Sequence, residues 1–281
     1  MSRISRPDPW TELRAHTAAR IALGRSGASL PTTELLRFGV AHAQARDAVH
    51  LPFDVDSVRA ELLAQGFETL EVESAATDRA TYLHRPDLGR QLSVRSRELL
   101  AGCVASRTSR TSGTGCEVLC VTGDGLSALA VHRHAAALLI ELRPRIEAAG
   151  QHEFARLRLG PVVLARQARV ALGDEIGAAL QARVVVMLLG ERPGLSSPDS
   201  LGAYVTWAPR VGRTDAERNC VSNIRPEGLA IAEAAQKLAW LIGAAQQLGT
   251  TGVSLKDDSD GARLAAPLRA LPQKTDDSAI R

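Results

Sequence analysis

The run Val184-Val-Val-Met-Leu-Leu189 constrains the fold more than any other stretch of the chain. Six consecutive apolar residues are far short of the roughly 20 that span a bilayer. Three of them are β-branched, which favours a strand. A strand without polar alternation must be covered on both faces, as strands of a parallel sheet are when helices lie on either side. Residues 117–122 and 161–165 carry the same signature. The intervening segments 127–149, 174–180 and 229–248 have helical period. Glu68-Thr-Leu-Glu-Val-Glu-Ser74 alternates as a half-buried strand does. Residues 201–208 and 252–255 read as further strands. Strand and helix in alternation predict a mainly parallel α/β sheet covered by helices.

The first 66 residues read differently. Asp8-Pro9-Trp10, with Glu12 behind, predicts a capped helix through Ile21 that Gly24 and Gly27 stop. A second helix starts at Thr32 or Thr33 and runs to Asp47. A third follows Asp54 or Asp56 and ends at Gly66. The expected organisation is therefore α/β: a small N-terminal helical domain (1–66), a Rossmann-like, mainly parallel sheet domain (67–256) and a polar, disordered tail (257–281). The Ser/Thr/Gly/Arg-rich segment 106–115 reads as a mobile loop.

Composition removes several function classes. Aromatic residues are 3% of the 281, so the core must be aliphatic. No apolar stretch near the N-terminus resembles a signal peptide, so an intracellular, soluble protein with no membrane partner is expected. Of 34 basic residues 31 are Arg, but they are spread along the chain and the net charge is only +3. A nucleic-acid partner is not expected without a basic face and stacking aromatics. The four cysteines, Cys103, Cys116, Cys120 and Cys220, contain no C-x-x-C pair, and His132 and His134 would leave a helix on different faces. No metal site is expected.

In open parallel sheets ligands bind beyond the carboxyl ends of the strands. Three such ends stand out. Gly123-Asp-Gly-Leu-Ser-Ala128 fits G-x-G-x-x-A, a turn that in some proteins cradles a dinucleotide pyrophosphate. That reading needs an acid at the end of the next strand, and Ala165-Arg-Gln167 has none. A tight strand-to-helix turn, with Asp124 capping the helix or reaching a ligand, is the simpler reading. The second end leads through Arg169 and Val170 to Asp174, read as a helix cap. The third is Gly190-Glu-Arg-Pro-Gly194, which sets Glu191 and Arg192 at the crevice. No G-x-S-x-G elbow, Walker loop or triad spacing is present, so no catalytic residue is assigned.

Longer blocks carry a resemblance. VVVMLLGERPG (184–194), LSSPDSLGAYVTWAPRVGRTDAERNCVSNIRPEG (195–228), DGLSALAVHRHAAALL (124–139), YLHRPDLGRQL (82–92), TAARIALGRSG (17–27) and ARVALGDEIG (168–177) resemble, in order, the small subunit of ethanolamine ammonia-lyase. The resemblance implies an adenosylcobalamin-dependent ammonia lyase that converts ethanolamine to acetaldehyde and ammonia by a radical route. It implies a large barrel subunit as partner in a hetero-oligomer, with the substrate site there and the corrinoid at the interface. It puts the small subunit's cobalamin contacts on Val170, Glu191 and Cys220. It further implies that the cofactor keeps its own benzimidazole on cobalt. The absence of any Asp-x-His, the start of the motif that displaces that base, fits. A cytoplasmic location follows, with packaging in a bacterial microcompartment left open. A dinucleotide-binding oxidoreductase and a non-catalytic scaffold are the alternatives.

Overall fold

The structure is a computed structural model that describes residues 10–17, 19–108, 116–147 and 157–259. Its frame is a six-stranded sheet of β1 (Thr69–Glu73), β2 (Val118–Gly123), β3 (Val162–Arg166), β4 (Val184–Gly190), β5 (Leu201–Trp207) and β6 (Arg218–Ile224). The spatial order is β1-β3-β2-β4-β5-β6. The first four strands are mutually parallel, and β5 and β6 return as antiparallel hairpins. The α/β class and the mainly parallel sheet are as the sequence predicts.

Among the described residues seven α-helices accompany the strands: α1 (Thr32–His50), α2 (Val55–Ala64), α3 (Arg79–His84), α4 (Val94–Thr108), α5 (Ala128–Glu147), α6 (Leu172–Ala179) and α7 (Ile231–Leu248). Every residue of β2 and β4 is buried, as unbroken apolar strands require. Their side chains feed two cores. Val118, Cys120, Leu164, Val186 and Leu188 pack with α2, α5 and α7 on one face. Leu119, Val121, Val163, Val185, Met187 and Leu189 pack with Leu100 of α4 and Leu172 and Ile176 of α6 on the other. Each such side chain contributes about 1.5–3 kcal/mol by leaving water. Helix α2 opens on Asp54, whose carboxylate accepts the Ser57 N–H, and it lays Val55, Val58 and Leu62 into the first core.

Several expectations need correction. The first helix is only a 3-10 turn, Thr11–His16, closed by Thr17 in extended conformation. None of its residues is buried, and helical propensity alone does not hold a short helix in water. Its expected cap, Asp8-Pro9, lies outside the described residues. Residues 252–255 form no strand. Gly252 has φ +82°, and its N–H donates to the Asn219 side chain rather than to a ladder, so Gly252–Ser254 is a 3-10 turn. Strand β6 and helices α3 and α4 were not foreseen: β6 buries only Arg218, Val221 and Ile224 of its seven residues. Most of 106–115 and all of 260–281 lie outside the described residues. At the start of the tail, Ser259 is buried and accepts a hydrogen bond from Lys237 Nζ at 3.1 Å.

Candidate ligand-binding site

The topology fixes where a crevice opens. From β2 the chain leaves through α5 on one face, and from neighbouring β3 through α6 on the other. The carboxyl ends of β2 and β3 therefore diverge, and ligands of open α/β sheets bind at such a point. Here the chain fills it itself. Asp124 is 2% exposed, and its Oδ1 accepts the Ala168 N–H at 3.0 Å. Its Oδ2 pairs with Arg79 Nη1 at 3.2 Å, and the same nitrogen donates to the Gly125 carbonyl at 2.9 Å. Tyr82 donates to the Ala168 carbonyl at 3.0 Å, between the guanidinium groups of Arg79 and Arg169 at 4.8 and 4.3 Å from its ring. Burial raises the Asp124 carboxyl above its ordinary range, against the pull of the Ala168 N–H and Arg79. What is left of the crevice is a cavity of roughly 170 Å³ between Arg79, Asp124, Gln167 and residues 50–53.

The glycine turn is equally occupied. A Cβ on Gly123 would come within 2.6 Å of the Ala168 side chain. Gly125 has φ +54°, and its missing Cβ makes room for the Gly190 carbonyl at 2.3 Å. The Leu126 N–H donates to Gly190 O and the Ser127 N–H to Asp124 O, so the donors that a pyrophosphate needs are already engaged. These glycines let β4 pass close to the turn. Asp124 does not cap α5; it ties the β2 turn to the β3 turn. Asp174 is no cap either. Helix α6 starts two residues earlier, and Asp174 turns inward to Arg218.

The open ground lies one strand further on. Glu191 follows β4, and its Oε2 accepts hydrogen bonds from the Ser200 hydroxyl and, at 3.2 Å, from the Asn223 N–H. Among the described residues no group donates to Oε1. The carboxylate lies over Gly202, where a Cβ would meet Oε1 at 2.9 Å and Cγ at 3.1 Å. Tyr204 and Cys220 are register partners in β5 and β6, and their hydroxyl and thiol influence one another. Burial raises the Cys220 thiol, and the nearby Glu191 charge raises it further. Tyr204 is raised by burial and by the same two neighbours. Cys220 nevertheless reaches solvent.

The structure thus brings Glu191 and Cys220 together and adds Ser200, Gly202, Tyr204 and Asn223, which the sequence reading did not single out. Only the pleat would have found Tyr204: it stands two residues from Gly202 on the face opposite Leu201 and Ala203. Val170 is half-buried against the second core, the same side of the sheet as Tyr204. Its carbonyl accepts the Gly173 N–H at 3.1 Å, so its side chain is the part turned to other use. Among the described residues no group of three or more His, Cys, Asp or Glu can hold a metal ion, and no helix is long and apolar enough to cross a membrane.

A doubly covered parallel sheet, with its crevice plugged and its antiparallel end carrying a pinned carboxylate, defines an α/β protein of the doubly wound class. The sequence pattern of the family described as ethanolamine ammonia-lyase light chain (EutC) matches residues 7–256. The chain belongs to that family. The ethanolamine ammonia-lyase small subunit of Bradyrhizobium diazoefficiens is 56% identical over 251 residues, 89% of this chain and 91% of that one. The small subunit of Xanthomonas campestris is 55% identical over 253 residues (90% and 89%), and that of Ralstonia nicotianae 53% over 262 (93% of each).

Proposed function

We propose that this chain is the small subunit of an adenosylcobalamin-dependent ethanolamine ammonia-lyase and forms one wall of the corrinoid site against a large catalytic subunit. The observation that carries the reading is the half-used carboxylate of Glu191. One oxygen is pinned by Ser200 and Asn223, and the other takes no donor from the described residues and lies over Gly202. A corrin ring is rimmed with amide side chains, and amide N–H groups are the donors such an acceptor takes. Tyr204 and Cys220 add a flat, polarisable surface beside it. The residues fit the group.

In this reading Glu191 holds an amide of the ring through Oε1, Cys220 packs as a polarisable wall, and Val170 supplies aliphatic contact. When bound, adenosylcobalamin supplies the radical chemistry that turns ethanolamine into acetaldehyde and ammonia. This chain contributes orientation and exclusion of water and takes no proton. The family name of its relatives supports a lyase complex with a large subunit as partner. The engaged N–H groups of the glycine turn count against the dinucleotide alternative.

The test is co-expression with the large subunit and an acetaldehyde assay, with adenosylcobalamin and NADH titrated separately. A saturable dependence on adenosylcobalamin alone is expected. A purified pair that converts ethanolamine no faster than the large subunit by itself overturns the proposal.

A further inference from the structure

We infer that Ser200 is a positioning residue that decides which oxygen of Glu191 faces the ligand. The inference rests on the corrinoid reading of Glu191 and deepens it.

A carboxylate on the first residue past a strand has free torsions and two equivalent oxygens. Ser200 removes that freedom. Its hydroxyl donates to Oε2, while its backbone carbonyl accepts the Glu191 N–H at 2.9 Å. Backbone and side chain of one residue thus grip backbone and side chain of the other. Asn223 N–H closes the clamp from β6, and Gly202 leaves room beneath Oε1. With Oε2 saturated, Oε1 is presented in one orientation.

The clamp itself is built on fixed ground. Ser200 ends a strap, 198–200, that is tied down on both sides. Ser127 Oγ donates to the Pro198 carbonyl at 2.8 Å. Asp199 takes Arg133 Nη1 at 2.7 Å on one oxygen and Arg225 Nη1 at 3.1 Å on the other, with His134 Nε2 at 3.5 Å. Asp199 and Ser200 are both buried. Ser127 before α5, Arg133 and His134 on α5 and Arg225 after β6 hold a strap whose hydrogen bonds to Glu191 come from Ser200. A strap needed only for the fold would not require that last hydroxyl.

Removing the hydroxyl alone tests this, because Ser200→Ala keeps the backbone bond. The readouts on the assembled complex are the dissociation constant for hydroxocobalamin by equilibrium dialysis, the KM for ethanolamine, and the melting temperature. Ser200→Ala is expected to weaken hydroxocobalamin roughly tenfold, the loss of one hydrogen bond to a carboxylate, with KM for ethanolamine unchanged. Ser200→Thr restores binding. In the double variant Ser200→Ala/Glu191→Ala, binding is no weaker than in Glu191→Ala alone, since Ser200 acts through Glu191. Additive losses, or a Ser200→Ala protein that binds as the parent does while Glu191→Ala does not, overturn the role of Ser200 and leave the corrinoid reading standing. A Glu191→Ala protein that binds normally overturns that reading itself. Should Ser200→Ala fail to fold, the near-isosteric Ser200→Cys takes its place in the same cycle.

Discussion

Arg218 and Asp174 meet oxygen to nitrogen on both arms, at 2.6 and 2.7 Å, and neither side chain is more than 3% exposed. The pair joins α6 to β6, two elements 44 residues apart. Thr206 Oγ1 and the Arg213 carbonyl take further N–H groups of the same guanidinium. Burial works against the charge of Arg218, but the hydrogen bonds and charge of Asp174 outweigh it and raise the guanidinium above its ordinary value. Breaking one side of such a pair strands a buried charge at a cost of about 3–5 kcal/mol. Asp174→Ala should therefore lower the urea midpoint sharply, and Asp174→Leu/Arg218→Leu should recover part of the loss. Equal midpoints for the single and double variants would refute this account.

Gly190 is expected to accept no side chain. A Cβ there would lie 1.9 Å from the Ser127 carbonyl and 2.8 Å from that of Asp124, both backbone. Gly190→Ala should yield insoluble or unfolded protein. A soluble Gly190→Ala variant with an ordinary circular dichroism spectrum would show that the turn can move.

Gly202→Ala makes the opposite forecast. Its three nearest neighbours are all atoms of the Glu191 side chain, at 2.9–3.3 Å. The fold should survive with a melting temperature within a few degrees of the parent. If Glu191 holds the corrinoid, affinity for it should fall by roughly tenfold, as for one lost hydrogen bond to a charged group. Unchanged corrinoid affinity would argue that the carboxylate is free to shift without consequence.

Acid should release the 198–200 strap. Burial opposes the charge of Asp199, but Arg133, His134 and Arg225 outweigh it and hold the carboxyl below its ordinary 3.8. A carboxyl depressed in the folded state contributes stability that is complete above its unfolded value and disappears as pH falls through the folded one. The contribution of Asp199 is thus present at neutral pH and lost below about 3.8. Asp199→Asn should lower stability at pH 7 and narrow the gap to the parent below that point. A gap constant with pH, measured by denaturant titration, would exclude the electrostatic origin.

Cys220 should be the thiol most open to reagents yet slow at neutral pH. It is the exposed cysteine of the four, whereas burial pushes the Cys120 thiol up to about 12. Because burial and Glu191 raise the Cys220 thiol, its alkylation by iodoacetamide should accelerate only in alkaline solution. Peptide mapping at pH 7 and pH 9.5 would check this, and fast modification at pH 7 would contradict it.

The sheet was legible because burial on both faces writes itself into β2 and β4 as runs of Val and Leu. Strand β6 was not, because RNCVSNI owes its place to partners: β5, the Asp174 pair and the bonds of Asn219 to the 252–255 turn. Asp174 looked like a helix cap because acids favour that position. Only tertiary structure supplies the arginine 44 residues away that draws it inward. Glu191 stood out at the end of a buried strand and Cys220 came from the family resemblance, but the geometry that makes Glu191 usable came from neither. Ser200 is one more serine in a polar loop until the fold closes the strap against β4.

The two hairpin strands carry two independent texts. In β5, Leu201, Ala203 and Val205 belong to the core, while Gly202 and Tyr204 face the open ledge. Parallel strands bring their own crossover helices and so seal both faces. Hairpin strands bring none, and α5 and α7 cover only one side of these. Leu201, Ala203 and Val205 are therefore read by the hydrophobic effect, Thr206 by the buried Arg218 guanidinium, and Gly202 by the Glu191 carboxylate above it. A change at the exposed Cys220 rewrites the ledge without touching the letters that fold the chain.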